Sequence, residues 1–96
     1  MKRFSILQDT KECYVCGQQS GLHIHEVFFG KNRQKSIEDG CCLYLCGRHH
    51  NLSKEGVHLD HNLDLRLKQE MQKKYMEVYG KTVEEFIERY GRNYLD

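Results

Sequence analysis

The chain has no proline, no internal repeat and no low-complexity tract, so nothing in it marks a linker and no boundary divides it. It is read as one domain, residues 1–96. Long apolar runs are also missing. No stretch approaches the roughly 18 residues a membrane helix requires, which excludes a spanning segment and any membrane partner of that kind. The N-terminal stretch MKRFSILQDTKEC holds neither a long apolar segment nor a small-residue cleavage site, so a cytoplasmic location is expected. Charge of one sign is not in excess either: the formal net charge is +1 and Lys and Arg are spread along the chain. Composition by itself therefore gives no argument for a nucleic-acid partner.

What is present points to a small folded domain with a staple. Hydrophobic residues at 39% and charged residues at 30% lie well away from the disordered regime. A chain of this size buries only about two thirds of its unfolded surface, so an added cross-link is expected. Five cysteines is an odd number. In a reducing compartment, cysteines at tight spacing are metal ligands more often than half-cystines.

The pattern along the chain is that of an α+β domain. CYVCG reads as a two-cysteine knuckle, and it leads into a strand over Leu22 to Phe29, which is rich in β-branched and aromatic residues and ends at Gly30. The polar segment KNRQKSIEDG, with basic residues Lys31, Arg33 and Lys35, reads as a long loop. CCLYLC reads as a second strand, after which Gly47 opens a turn into RHHNLSK and a short helix. From Leu63 onward Leu67, Met71, Tyr75, Val78 and Tyr79 recur at helical spacing up to Gly80. A last helix follows, with Thr82 and Glu85 in capping-box positions, an apolar face of Phe86, Ile87 and Tyr90, and Gly91 at its end. The aromatic and methionine side chains of the two helices are read as core packing.

Two pairs of potential metal ligands stand out. Cys13-x-x-Cys16 and Cys46-x-x-His49 each have the spacing at which a tight turn aims two side chains at one point, and pairing of the intervening strands would bring the knuckles together. They predict a structural zinc site made by Cys13, Cys16, Cys46 and His49. Redox-active thiols are the alternative, but the βαβ context of a thioredoxin-like site is missing. Cys41 and Cys42 are read as small buried hydrophobes outside the site.

His23, His25, His50 and His58 remain. Each taken singly reads as well as a structural or exposed side chain. Together, a Cys-x-x-Cys knuckle, a strand ending in His, a second strand, Cys-x-x-His-His and the later Gly-x-His of LCGRHH…GVH resemble the HNH nucleases, the ββα-metal or His-Me finger superfamily. The likeness is to small zinc-bearing phage and prophage HNH proteins and to the nuclease domain of phage recombination-enhancement proteins. It covers about Cys13 to His58.

The resemblance implies a zinc-stapled ββα-metal core at about residues 12–60, to which the helical periodicity adds two C-terminal helices at about 61–96. It also implies a metal-dependent endonuclease that hydrolyses phosphodiester bonds in DNA, phage or prophage encoded, with a recombination or packaging protein as a possible partner. Carried over, His25, His50 and His58 bind the catalytic divalent ion, magnesium or manganese, and His25 and His50 count among the catalytic residues. Glu26 occupies the place of the family's general-base histidine, and Asp39 is the nearest polar residue to the family's asparagine. Glutamate has an ordinary pKa of about 4.3, so as a base near neutrality it needs burial to raise it, and His23 is the fallback. Lys31, Arg33, Lys35 and Arg48 are candidates to hold backbone phosphates, against a reading as solvated surface charge. The other class of function is a non-catalytic zinc-finger-like module that binds nucleic acid or a protein partner.

Overall fold

The computed structural model describes residues 3–95. Its sheet has two antiparallel strands, β1 (Leu22–Glu26) and β2 (Cys42–Cys46), in a register that pairs Leu22 with Cys46, Ile24 with Tyr44 and Glu26 with Cys42. The first strand is shorter than its composition predicts. Val27 still donates from its backbone N–H to the Cys41 carbonyl at 2.9 Å, but Phe28 leaves the strand for the core.

The segment between the strands is not a loop. After a single 3-10 turn at Gly30–Asn32, helix α1 spans Arg33–Asp39 and ends at Gly40, whose φ of 75° suits glycine. Only Ile37 in α1 is apolar, so no helical periodicity shows in the sequence. Partners far along the chain hold the helix. The buried hydroxyl of Ser36 donates to the Phe28 carbonyl at 2.8 Å and accepts from the Phe28 N–H at 3.1 Å. From the other side, the Tyr90 hydroxyl donates to the Asp39 carboxylate at 2.6 Å and lies 3.1 Å from the Lys35 carbonyl, and Arg89 pairs with Glu38 and Asp39.

A short helix α2 (Gly47–His50) follows β2 directly, and α3 (His61–Tyr79) and α4 (Val83–Tyr90) complete the chain. Helix α3 begins at His61 because Asp60 caps it, its carboxylate accepting from the N–H groups of Asn62 and Leu63. Thr82 and Glu85 form the reciprocal capping box of α4, and Gly80 and Gly91 close the two helices in the left-handed conformation. Leu67, Met71 and Tyr75 are the buried stripe of α3, while Val78 and Tyr79 are exposed; in α4 Phe86 and Tyr90 are buried and Ile87 is not. The two helices bury these residues against the strands. Phe28, Phe86 and Tyr90 pack ring against ring at centroid distances of 4.5 to 5.3 Å, with Tyr75 and Tyr94 at their edge. Cys41 and Cys42 are buried, and burial pushes their thiols up to about 12 and about 11, as expected of inert core cysteines. No helix among the described residues is long and apolar enough to cross a membrane.

Candidate metal centres

Two groups of ligand atoms converge. In the first, the sulfurs of Cys13, Cys16 and Cys46 and a ring nitrogen of His49 all lie within 4.8 Å of one another. The Cys13 knuckle is shaped by its backbone: the Cys13 N–H donates to the Gln18 carbonyl and the Gly17 N–H to the Cys13 carbonyl, both at 2.8 Å, with Gly17 at φ 80°. It is docked on the sheet by the Tyr14 N–H, which donates to the Tyr44 carbonyl at 2.8 Å. Cys46 ends β2 and caps α2, so one helical turn carries His49 to the same point.

The spacing tests the fit to a tetrahedral ion. Metal–sulfur bonds of about 2.3 Å and metal–nitrogen bonds of about 2.0 Å set ligand atoms roughly 3.5 to 3.8 Å apart. The observed separations are 3.8 Å for Cys16 to Cys46, 3.8 Å for Cys13 to His49 and 3.3 Å for Cys46 to His49. Burial raises the Cys13 thiol, but N–H groups of Cys46, Cys16 and Val15 and the His49 ring outweigh it and bring it down to about 6. A thiolate is thus favoured where a metal requires one. These four residues can hold a metal such as zinc.

The second group is His25, His50 and His58, again with ligand atoms within 4.8 Å of one another. Strand β1 contributes His25, α2 contributes His50, and His58 is returned to them by a tight loop in which the Val57 N–H donates to the His49 carbonyl at 2.8 Å and the His58 N–H to the His50 carbonyl at 3.4 Å. Gly56 permits this return, since a Cβ there would lie 2.7 Å from the His50 carbonyl oxygen. The Nε2 atoms of His50 and His58 are 3.3 Å apart. Nε2 of His25 is buried with no hydrogen-bond partner among the described residues, a costly state that a bound ion would relieve. Burial, with His50, His58 and Lys68 adding positive charge nearby, pushes His25 down to about 3, and burial likewise lowers His50. Both rings are therefore neutral near neutral pH, the form that ligates metal. The cluster is graded: His25 is buried, His50 half-buried and His58 exposed.

Other expected site residues are placed elsewhere. Glu26 alternates to the strand face opposite His23 and His25. Its carboxylate accepts from Arg33 at 2.7 Å and from Arg3 at 3.3 Å, so the general-base assignment loses its geometry. Asp39 is bound to Arg89 and Tyr90. Of the four basic residues, Arg33 is taken by Glu26, Lys35 donates to the Arg89 carbonyl at 2.8 Å, and Arg48 pairs with Glu55. Lys31 is exposed and has no ion-pair partner among the described residues.

Two neighbours of the cluster were invisible in the sequence. The ring of Phe29 stands 5.8 Å from that of His25 and 5.3 Å from that of His58, and Lys68 of α3 lies over the ring of Phe29, 4.3 Å from its centroid. The packing of α3 brings Lys68 there, and no local pattern signals it. Comparison with protein-family models, with curated proteins and with solved structures finds no match to this chain.

Proposed function

We propose that Cys13, Cys16, Cys46 and His49 hold a structural zinc ion and that His25, His50 and His58 hold the divalent ion of a metal-dependent endonuclease of the HNH kind, acting on DNA phosphodiester bonds. The contrast between the two clusters carries this reading. Four thiolate and imidazole donors form a closed set, as in structural sites, whereas three imidazoles graded from buried to exposed leave a side open, as in catalytic sites. Three imidazoles without a carboxylate suit a first-row transition ion better than magnesium.

Such an ion supplies Lewis-acid stabilisation of the charge that grows on a phosphodiester oxygen and acidifies water. The chain itself supplies the three imidazole ligands, the Phe29 wall beside them and Lys31, which has no ion-pair partner among the described residues, as a cation for a phosphate. Glu26, engaged by two arginines, supports a second reading in which the chain is a non-catalytic zinc module that binds nucleic acid or a protein partner.

Plasmid nicking with magnesium, manganese, cobalt or nickel, run beside His50→Ala, separates the two. Nicking by the parent that His50→Ala abolishes supports the nuclease. A folded parent that cleaves neither DNA nor RNA with any of these ions rejects it in favour of the binding module.

A further inference from the structure

The ring of His50 is engaged at both nitrogens. Its Nε2 faces Nε2 of His58 at 3.3 Å, inside the three-histidine cluster. Its Nδ1 lies 2.9 Å from Nδ1 of His23, with the two rings nearly perpendicular at 84°. His23 is not one of the three clustered ligands. Strand alternation puts it on the same face as His25, and its cross-strand partner Leu45 is one residue before Cys46, so it lies beside the junction from which α2 projects His50.

Two Nδ1 atoms at this distance share one proton, so one ring donates and the other accepts. A metal on Nε2 of His50 requires the lone pair there and leaves the proton on Nδ1. His50 then donates from Nδ1–H, His23 accepts on Nδ1, and the proton of His23 resides on its own Nε2. We propose that His23 is the positioning residue of the second metal centre, accepting the Nδ1–H bond of His50 and so fixing both the tautomer and the ring plane of that ligand. The inference rests on the reading of His25, His50 and His58 as a metal centre.

The same hydrogen bond sets this role against that of a general base. With its Nδ1 lone pair engaged by His50 and a proton on Nε2, His23 has no free lone pair with which to take a proton from water. A general base and a ligand-orienting acceptor therefore make different demands on the same ring. Asparagine meets only the second, since its side-chain carbonyl reaches about as far as Nδ1 and accepts a hydrogen bond without titrating.

The test is a cobalt(II) titration of zinc-loaded protein, followed by visible absorption and calorimetry, on the parent, His23→Leu and His23→Asn. The parent is expected to bind one cobalt beyond its zinc, His23→Leu to bind it about 10- to 100-fold more weakly, and His23→Asn to return to within a few-fold of the parent. Nitrogen NMR with a diamagnetic ion in the site should find His50 protonated at Nδ1 in the parent and in His23→Asn. A parent that binds a second ion while His23→Leu binds it equally well overturns the role of His23 alone, as does failure of His23→Asn to recover. A parent that binds no second ion at all overturns the metal-centre reading and this inference with it.

Discussion

Glu26 and His25 are neighbours in the chain with opposite surroundings, because one step along a strand reverses the face a side chain meets. His25 turns into the buried side and meets histidines; Glu26 turns out to two arginines. Glu26→Gln is therefore expected to leave metal binding, and any nicking the parent shows, within about threefold of the parent. Its loss of stability should be about 1 kcal/mol, because Arg3 and Arg33 are themselves accessible and water replaces the lost carboxylate. Paired nicking assays and urea titrations check both numbers. A hundredfold loss of cleavage with intact metal binding would restore Glu26 as the base.

At the scale of the element, α1 shows a helix made by its contacts. Its sequence carries one apolar residue and no side-chain N-cap, and what it has is Ser36, bound at one hydroxyl to both backbone groups of Phe28. Ser36→Ala leaves a buried N–H and a buried carbonyl unpaired, which is expected to cost about 2 to 3 kcal/mol. Urea titration measures it, and faster amide hydrogen exchange confined to α1 would place the effect on that helix. By contrast the capping box of α4 is local, and its cost on removal of the Thr82 hydroxyl should not exceed about 1 kcal/mol.

Across the whole molecule, two properties follow from how little core a chain of 96 residues can bury. The first concerns the four-ligand cluster, which brings residues 13–16 against residues 46–49, so that an ion held there would clamp the knuckle to the junction of β2 and α2. Zinc removal by chelator, or Cys46→Ser, is expected to abolish cooperative unfolding, as monitored by circular dichroism. A well-folded preparation that elemental analysis finds free of zinc would refute the structural site. The second concerns the tyrosines. Five of the six, Tyr14, Tyr75, Tyr79, Tyr90 and Tyr94, are raised above the ordinary phenol range, in each case first by burial; Tyr14 stands at about 12 and is also held by Glu70.

For a phenol so raised the unfolded state releases its proton near pH 10 while the folded state keeps it. The contribution of these phenols to stability is therefore unchanged below pH 10 and is lost as pH rises beyond it. Tyrosinate absorbance of the two buried phenols, Tyr75 and Tyr90, is expected to appear in one step together with unfolding. Gradual ionisation at pH 10 with the fold intact would contradict their burial.

What the amino-acid sequence determined by itself was whatever short-range chemistry enforces: the two knuckle spacings, Thr82 with Glu85, the glycines after α3 and α4, and the i, i+4 stripe of Leu67, Met71 and Tyr75. Each is decided within a turn or two of backbone. Resemblance to HNH proteins pointed to His25, His50 and His58, but their meeting depends on the register that sets Leu22 against Cys46 and on the Gly56 turn that returns His58. Only the tertiary structure decided that α1 is a helix, that Glu26 belongs to arginines, that His23 belongs to His50 and that Phe29 walls the cluster. In each of these cases the deciding partner lies at least seven residues away, beyond a turn or two of backbone, and no local pattern records which group a polar side chain will find.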